Sequence, residues 1–487
     1  MKREWTALYV LMLPLLLVSM DVSVLYFAAP AISADLHPTG TQQLWIFDIY
    51  GFLLAGLLMT MGSLGDRIGR RRLLLMGAAA FGGASLLAAC ADSAATLIAA
   101  RALLGVGGAT LMPSTMALLR TMFTDPAERA KAIGLWSGVM TGGVALGSVM
   151  SGILVEHFWW GSVFLVNLPA MGLLLVLGPV LLPESKNPSP GPFDWPSVPL
   201  SLAAVLPVVY GLKEIPSEGW HPRYVVPVAV GLLFAALFTH RQRTHATPLV
   251  PPALLKGRGF APALVLNLVA SLAMMGSAVF TTQYLQSVLG KSPLSAALWS
   301  LLPSVFIGVA GPLTARLVRR GVDRGYVVAG GFAAMAGGFA LLALLGTDSL
   351  WLVLAGAGVL ACGMVAVMSQ LTDLAMSGAP VERAGTASSL LETSAEFGGA
   401  LGMAVLGSIG TAVYRHRMPG TAPAGARETL GGALATVTRL PGEAGQSLLA
   451  AARQAFTTGM RDAALAGAVL LVLAAVGAAV TLRKTEG

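Results

Sequence analysis

Five acidic side chains stand inside long apolar stretches of this sequence: Asp21, Asp48, Asp373, Glu392 and Glu396. Only Arg101 is a clear basic counterpart. Holding an ionised side chain in a lipid-embedded helix costs roughly 2.5–3.5 kcal/mol on insertion scales, so such residues persist when they pair, face water or act. Five anions against one cation describe a hollow that attracts cations or protons. Glu392 and Glu396 are four residues apart and share one helix face. At 1.5 Å per residue they lie roughly 12 and 18 Å from a helix start near Ala384. Two carboxylates this close resist being ionised together, which suits a group that takes a proton on one side and yields it on the other. The plainer alternative is that one glutamate stays protonated and only hydrogen-bonds between helices.

Asp21 either binds a proton or a cationic head, or it pairs with Arg101. Asp48 follows Trp45 near a helix end. It is a vestibule contact for cations or a residue of the wet interface. Asp373 is an acid at the cargo's way in, or a solvated helix end. Arg101 is the partner of an acid, with or without a gating role. Tyr26, Trp136, Met140, Phe280, Tyr284, Met364 and Met368 can shape a pocket, since aromatic faces hold quaternary ammonium groups and methionine adapts its shape. Each of them is equally at home in ordinary packing.

These residues need helices that cross a membrane. Of 487 residues 55% are hydrophobic and 11% charged, and mean hydropathy is +0.75. A soluble domain carries about 25% charged residues, so this chain lacks the charge to cover a water-facing surface. A disordered chain, a secreted disulfide scaffold and an ordinary soluble enzyme are excluded. The two cysteines, Cys90 and Cys362, lie in apolar runs without metal-ligand spacing. A span takes roughly 20 apolar residues. Fourteen candidates start near Ala7, Gln43, Leu73, Ala94, Ala130, Trp160, Pro196, Pro222, Phe260, Leu294, Gly325, Leu350, Ala384 and Gly459. The first runs to about Ile32, too long for a signal-peptide core, and reads as an uncleaved span.

The basic residues fit that count. With both termini inside, 21 of the 31 Lys and Arg fall in internal segments and three in short external loops, the asymmetry that orients membrane proteins. The same distribution assigns the net charge of +8 to membrane orientation and excludes nucleic acid as a partner. One external segment is long, 415–458. Leu440-Pro441 breaks it, and residues 446–456 can form a short amphipathic helix. It is a cap over the outer mouth or a linker.

A weak repeat relates Gly62…Asp66-Arg67-x-Gly69-Arg70-Arg71-Arg72 to Gly311…Ala315-Arg316…Arg319-Arg320, with alanine in place of the aspartate. Repeats eight spans apart fit two six-span halves, 1–185 and 259–487, separated by two inserted helices in 186–258. Internal repeats are a construction rule of secondary transporters.

On these residues the sequence resembles the fourteen-span drug:proton antiporter branch of the major facilitator superfamily, and most of all its subgroup that exports quaternary ammonium compounds. The 62–72 loop matches the superfamily signature between spans 2 and 3, and Arg101-x-x-x-Gly105-x-Gly107 matches the second signature. The antiporter signature of span 5 keeps its spacing at Gly134, Gly143, Gly147 and Gly152, with Ser148 for its proline and Ser151 for its last glycine. That exchange affects bending but preserves a small-residue face for close helix approach. The strings Met20–Leu25, Trp45–Tyr50 and Ser388–Gly399 carry the subgroup likeness.

The resemblance implies an all-α polytopic major facilitator fold with fourteen transmembrane helices, in the bacterial cytoplasmic membrane, both termini cytoplasmic, as a monomer. It implies export of lipophilic cations (quaternary ammonium compounds, dyes, biguanide-like antiseptics) by alternating access. Asp21, Glu392 and Glu396 would couple protons. Asp21, Asp48, Asp373, Glu392, Tyr26, Trp136, Tyr284 and Met368 would bind substrate. Gly62, Asp66, Arg67, Gly69, Arg70, Arg71 and Arg101 would form the conformational switch. In the loop, Asp66 would sit at the N-terminus of a facing helix, and Arg70 and Arg71 would reach acids of the other half to latch the cytoplasmic side. The need for close packing at Gly62 and Gly69 favours that latch over a purely topological role. No cofactor or metal is implied. Gly290-Lys291-Ser292 imitates the end of a P-loop, but Leu285 stands where the first glycine belongs, so the energy comes from an ion gradient or a partner; the resemblance implies a proton gradient. The six histidines fall in loops or at span ends, which disfavours a haem enzyme. Export of a neutral or zwitterionic antibiotic, and a non-transporting membrane sensor on the same fold, are the rival readings.

Overall fold

The computed structural model describes residues 2–186, 194–245, 259–377, 384–440 and 442–482. The described elements are helices. The first half comprises α1 (Lys2–Leu36), α2 (Gly40–Ile68), α3 (Arg70–Ala89), α4 (Ala94–Met122), α5 (Pro126–His157), the single turn α6 (Ser162–Leu165) and α7 (Asn167–Leu181). The insert is α8 (Ser197–Glu218) and α9 (Pro222–Thr244). The second half comprises α10 (Phe260–Gln283), prolonged by a π-helical turn at Tyr284–Val288, α11 (Pro293–Ser300), α12 (Leu302–Arg319), α13 (Arg324–Leu342), α14 (Leu350–Ser377), α15 (Ala384–Arg417), the short α16 (Ala424–Glu428) and α17 (Leu430–Val437), and α18 (Gly442–Thr481).

Local sequence explains the boundaries. Thr39 and Gln42 form a reciprocal capping box at α2, Ser93 caps α4, Asp125 precedes Pro126 at the start of α5, and Ser292 precedes Pro293 at α11. Among the described residues eleven helices are long and apolar enough to cross a membrane. A twelfth is the pair Gly40–Leu58 and Thr60–Ile68, bent by 48°.

Two expectations are corrected at the level of elements. The tenth candidate span is two helices, α11 and α12, parted at Leu301. The 446–456 helix is no separate element, because it forms the first turns of the 40-residue α18. Pro441, the expected break, lies outside the described residues, as do Arg383, Lys256, Arg258, residues 187–193 before the insert and 246–258 after it.

The halves meet along α2 and α15, α1 and α10, and α5 and α11. Helix α8 bridges them, packing on both α2 and α15, where Phe52, Val209, Ala400 and Ala404 form a small core of their own. Among the described residues, three hydrogen bonds cross the seam at one end of the bundle. There Gln286 donates to the Phe27 carbonyl at 3.2 Å, the Leu294 amide donates to Glu156 at 3.2 Å, and the Gly40 amide donates to Glu428 at 3.3 Å. The 418–440 segment covers this end, with α17 packed on α1 and α18. We call it the capped end. The Asp66–Arg72 loop lies at the opposite end.

Candidate functional site

Two close helix approaches fix the orientation of the acids. On α15 an added Cβ at Gly398 would lie 2.2 Å from the Leu268 carbonyl oxygen, and one at Gly402 would lie 2.0 Å from that of Leu272. Backbone therefore rests on backbone between α10 and α15. Asn267 donates to the Leu391 carbonyl at 2.8 Å and Ser394 to the Leu264 carbonyl at 2.6 Å, which locks the rotation. The opposite face of α15, carrying Ala395, Glu396, Gly399 and Met403, is turned into the molecule.

The second approach joins α1 to α5 through the antiporter signature. A Cβ at Gly143 would lie 2.2 Å from Ser19 Oγ, and one at Gly147 would lie 2.7 Å from the Met20 carbonyl oxygen. Ser151, in place of the signature's last glycine, donates to the Val24 carbonyl at 2.7 Å, and Ser23 donates back to the Val144 carbonyl at 2.7 Å. The exchanged serine thus adds an interhelical hydrogen bond. Ser148, in place of the proline, bonds its own helix at Val144, and α5 runs unbroken from Pro126 to His157.

Between these approaches lies a cavity of about 280 Å³. Glu396, Tyr26, Phe47, Tyr50, Arg101 and the methionines 112, 140, 275, 364, 368 and 403 line it. Tyr26 bridges the halves through its hydroxyl, 3.3 Å from Met275 Sδ. Arg101 is buried and ion-paired with the equally buried Asp21. Its Nε donates to the Ile46 carbonyl at 3.2 Å, and its guanidinium carbon lies 4.7 Å from the Tyr50 ring centroid. Tyr26 is within electrostatic reach of Asp48, Asp21, Arg101 and Glu396. On the wall of this one cavity the structure therefore gathers Tyr26, Arg101, Glu396 and Met368.

Other candidates fall elsewhere. Asp21 sits behind Arg101 against Met20, Val24, Met150 and Asn167, not on the cavity wall. Asp48 is fully buried, so it does not belong to a wet helix end. Glu392 lies one turn from Glu396 toward the start of α15 and does not line the cavity. Asp373 is exposed. Trp136 points away, donating to Thr115 Oγ1 at 3.3 Å inside the first half. Tyr284 is buried near the capped end, where its hydroxyl donates to the Gly346 carbonyl at 2.5 Å. Trp136 and Tyr284 thus have structural hydrogen-bonding partners that remove them from the pocket.

The loop motif also departs from expectation. Gly69 alone separates α2 from α3, at φ +111°, and a Cβ there would lie 2.6 Å from Glu184 Oε1. The φ requires glycine, whereas the Glu184 carboxylate ends a flexible side chain that can shift. At Gly62 the nearest atom to a Cβ would be 3.9 Å away, so close packing does not explain it. Asp66 pairs with Arg70 at 2.5 Å rather than capping a facing helix. Arg71 binds the carbonyls of Pro179 and Leu182 at 3.1 and 3.0 Å and stands 3.7 Å from Glu184. The Arg70 amide donates to the Ser185 carbonyl at 2.8 Å. These contacts of Arg70 and Arg71 bind the loop to the end of its own half.

Several wall residues escape a reading built on charges. Tyr50, Phe47, Met112, Met275 and Met403 carry no charge in an apolar run. Register was the available signal: Met403 is seven residues after Glu396, and Phe47, Tyr50 and Leu54 repeat at helical spacing on α2.

The sequence profile of the Major Facilitator Superfamily matches residues 11–403. The multidrug efflux pump LfrA of Mycolicibacterium smegmatis is 42% identical, over 99% of this chain and 97% of its own. The methyl viologen resistance protein SmvA of Salmonella typhimurium is 33% identical over the full length of both. The tetracenomycin C resistance and export protein of Streptomyces glaucescens is 33% identical over 99% and 92%. Among solved structures, a bacterial homologue of the human lysosomal transporter Spinster, inward-facing and unoccupied, superposes with a TM-score of 0.66 at 20% identity, covering 99% of this chain and 98% of that one. The chain belongs to the Major Facilitator Superfamily and is a multi-pass membrane transporter, not an enzyme.

Proposed function

We propose that this transporter is a proton-coupled antiporter that exports lipophilic cations, as in the quaternary-ammonium subgroup. The observation that carries the reading is the placement of Glu396 in a cavity walled by methionines and aromatic rings, with the Arg101–Asp21 pair against its side. Methionine walls accept cargo of varied shape, rings attract cationic heads, and the glutamate supplies a charge that cargo and proton neutralise in turn. Tight contacts at the capped end support an inward-facing arrangement, open toward the Asp66–Arg72 end. Cargo enters from the cytoplasm or inner leaflet, the halves rock, and protons arriving from outside displace it. The transmembrane proton gradient is the energy source, and no cofactor takes part.

The same reading takes α8 and the broken α11–α12 as spans beside the twelve, giving fourteen. Both termini are then cytoplasmic in a bacterial cytoplasmic membrane, and the chain works as a monomer. Relatives named for multidrug efflux and for resistance to methyl viologen, a permanent dication, support cationic cargo. The test is efflux of ethidium and of a divalent cation by wild type and by Asp21→Asn, Asp48→Asn, Asp373→Asn, Glu392→Gln and Glu396→Gln. Loss of all transport in Glu396→Gln is expected; unchanged uphill export of both cations by that variant would refute the reading. The relative named for tetracenomycin C export favours a second reading, a neutral natural product as cargo. Proton-driven export of neutral drug but not of ethidium would establish it.

A further inference from the structure

A second cleft lies beyond the central cavity, toward the capped end. It is small, about 50 Å³, and is lined by Phe47, Phe280, Met403, Tyr414, Glu428 and Phe456 among others. Phe47 and Met403 also line the central cavity, so these two side chains are the partition between the two spaces. The Phe280 and Phe456 rings stand 6.0 Å apart at 56°. Gly410 makes room for Phe280, whose ring would lie 2.5 Å from an added Cβ. Tyr414 ties α15 to α16 by donating to the Ala426 carbonyl at 2.8 Å, which holds the adjacent Glu428 over the cleft.

The partners of Glu428 come from both halves. Oε1 stands 3.5 Å from Arg415, on its own half, and Oε2 accepts from the Gly40 amide at 3.3 Å, at the start of α2 in the other half. When the halves part at this end, the Gly40 amide leaves with α2 and Oε2 loses its donor. The same movement widens the cleft, because Phe47 on α2 is one of its walls. A carboxylate oxygen then faces aromatic rings across an open cleft, a combination that binds organic ammonium ions.

We propose that this cleft is a second cation station on the outward path, with Glu428 as counter-charge and Phe47, Phe280 and Phe456 as walls. It rests on the cationic-cargo reading above and adds a site outside the central cavity. Cargo passing the Phe47–Met403 partition pauses there before release, and an organic cation presented from outside occupies it and obstructs export.

The test uses cells or right-side-out vesicles carrying the full chain, with ethidium as exported dye and decamethonium, a membrane-impermeant bis-quaternary ammonium, added outside. Half-inhibitory concentrations are read against each variant's own uninhibited rate. Wild type is expected to be inhibited, and Glu428→Gln and Phe456→Leu to need about tenfold more decamethonium, while Glu428→Asp restores inhibition. A purely structural role of Glu428 in holding the cap would alter rate without moving that concentration. Wild type exporting ethidium without inhibition, or both variants inhibited like wild type, would overturn the station. Should Glu428→Gln fail to reach the membrane, Phe456→Leu and Phe280→Leu decide alone. Wild type that exports no ethidium refutes the cationic reading itself, a distinguishable result.

Discussion

Replacing Asp21 by Asn and Arg101 by Met, singly and together, separates what their ion pair holds in place from what it does. Both side chains are almost wholly buried, at 3% and 2% exposure. Removing one partner of such a pair strands the other charge, at about 3–5 kcal/mol. Asp21→Asn belongs at the lower end of that range. Asparagine still offers an acceptor oxygen, and Arg101 keeps the Ile46 carbonyl and the Tyr50 ring. Arg101→Met belongs at the upper end, because a bare carboxylate is left against Met20, Val24, Met150 and Val163. The double variant strands no charge and is expected within ~2 kcal/mol of wild type. Denaturant titration in detergent, followed by tryptophan fluorescence, measures all four proteins. Ethidium efflux is expected to stay absent in the stable double variant, since its folding is restored and its charges are not. A double variant whose loss equals the sum of the singles within ~0.5 kcal/mol would show that the two residues are not coupled and would refute the account of this pair.

Gly402→Ala sets a methyl 2.0 Å from the Leu272 carbonyl oxygen, so α15 must retreat from α10. A loss of about 1–3 kcal/mol together with dye efflux is expected from melting and transport assays, whereas Gly311→Ala, with open space at its Cβ, is silent. Gly69→Ala is expected to lower both stability and export, because its φ is +111°, a backbone conformation an alanine rarely adopts, while Gly62→Ala, with the nearest atom 3.9 Å from its Cβ, passes both assays. In the insert, Asp194 accepts hydrogen bonds from Arg241, at 2.6 and 2.8 Å, and from Ser197. Burial pushes its carboxyl up, but those bonds outweigh it and hold it below the ordinary value. Its contribution is therefore present above the unfolded carboxylate value near pH ~4 and fades as pH falls through the lower folded one. Hydrogen exchange in α8 is expected to rise only in strong acid, and Arg241→Gln to move that rise to higher pH; an identical pH profile in the variant would contradict the assignment.

Charge made part of the site legible. A lone cation and scattered acids in apolar runs directed attention to Arg101, Asp21 and Glu396, and all three stand together. Glu392 shares their chemistry but not their place, because a helix face is wider than a cavity wall and one turn moves a side chain beyond it. Trp136 and Tyr284 have the right ring chemistry. Their hydrogen-bond partners, Thr115 and the Gly346 carbonyl, come from other elements, 21 and 62 residues away, which no local pattern announces. The long helices were legible because each needs only length and apolarity. The division of α11 from α12 at Leu301, and the merging of 446–456 into α18, depend on tertiary packing. The loop motif showed its glycines and arginines but not their partner. Glu184 becomes the neighbour of Gly69 only once α3 and α7 pack side by side.

One carboxylate in the central cavity suffices for exchange if its field is felt by both cargo and proton. A monovalent cation about 5 Å from the Glu396 carboxylate, at an effective dielectric of about 20, gains roughly 3 kcal/mol. Protonation of the glutamate removes that gain, so each ligand weakens the other's binding by about two powers of ten. By reciprocity the factor is the same in both directions, and the two need not touch the same oxygen. The neighbouring Arg101–Asp21 pair is neutral as a unit and leaves this balance intact while it holds. If rocking separated the pair, the guanidinium on the cavity wall would lose its counter-charge and expel the cargo. A cation-independent, proton-insensitive leak of dye is therefore not expected from Glu396→Gln. Instead, that variant should bind cations about a hundredfold more weakly and lose the pH dependence of binding altogether. Fluorescence titration of the purified protein with ethidium at pH 6 and pH 8 measures both effects at once. Binding that stays pH-dependent in Glu396→Gln would transfer the exchange to another acid, Glu392 one turn away on α15 or the fully buried Asp48.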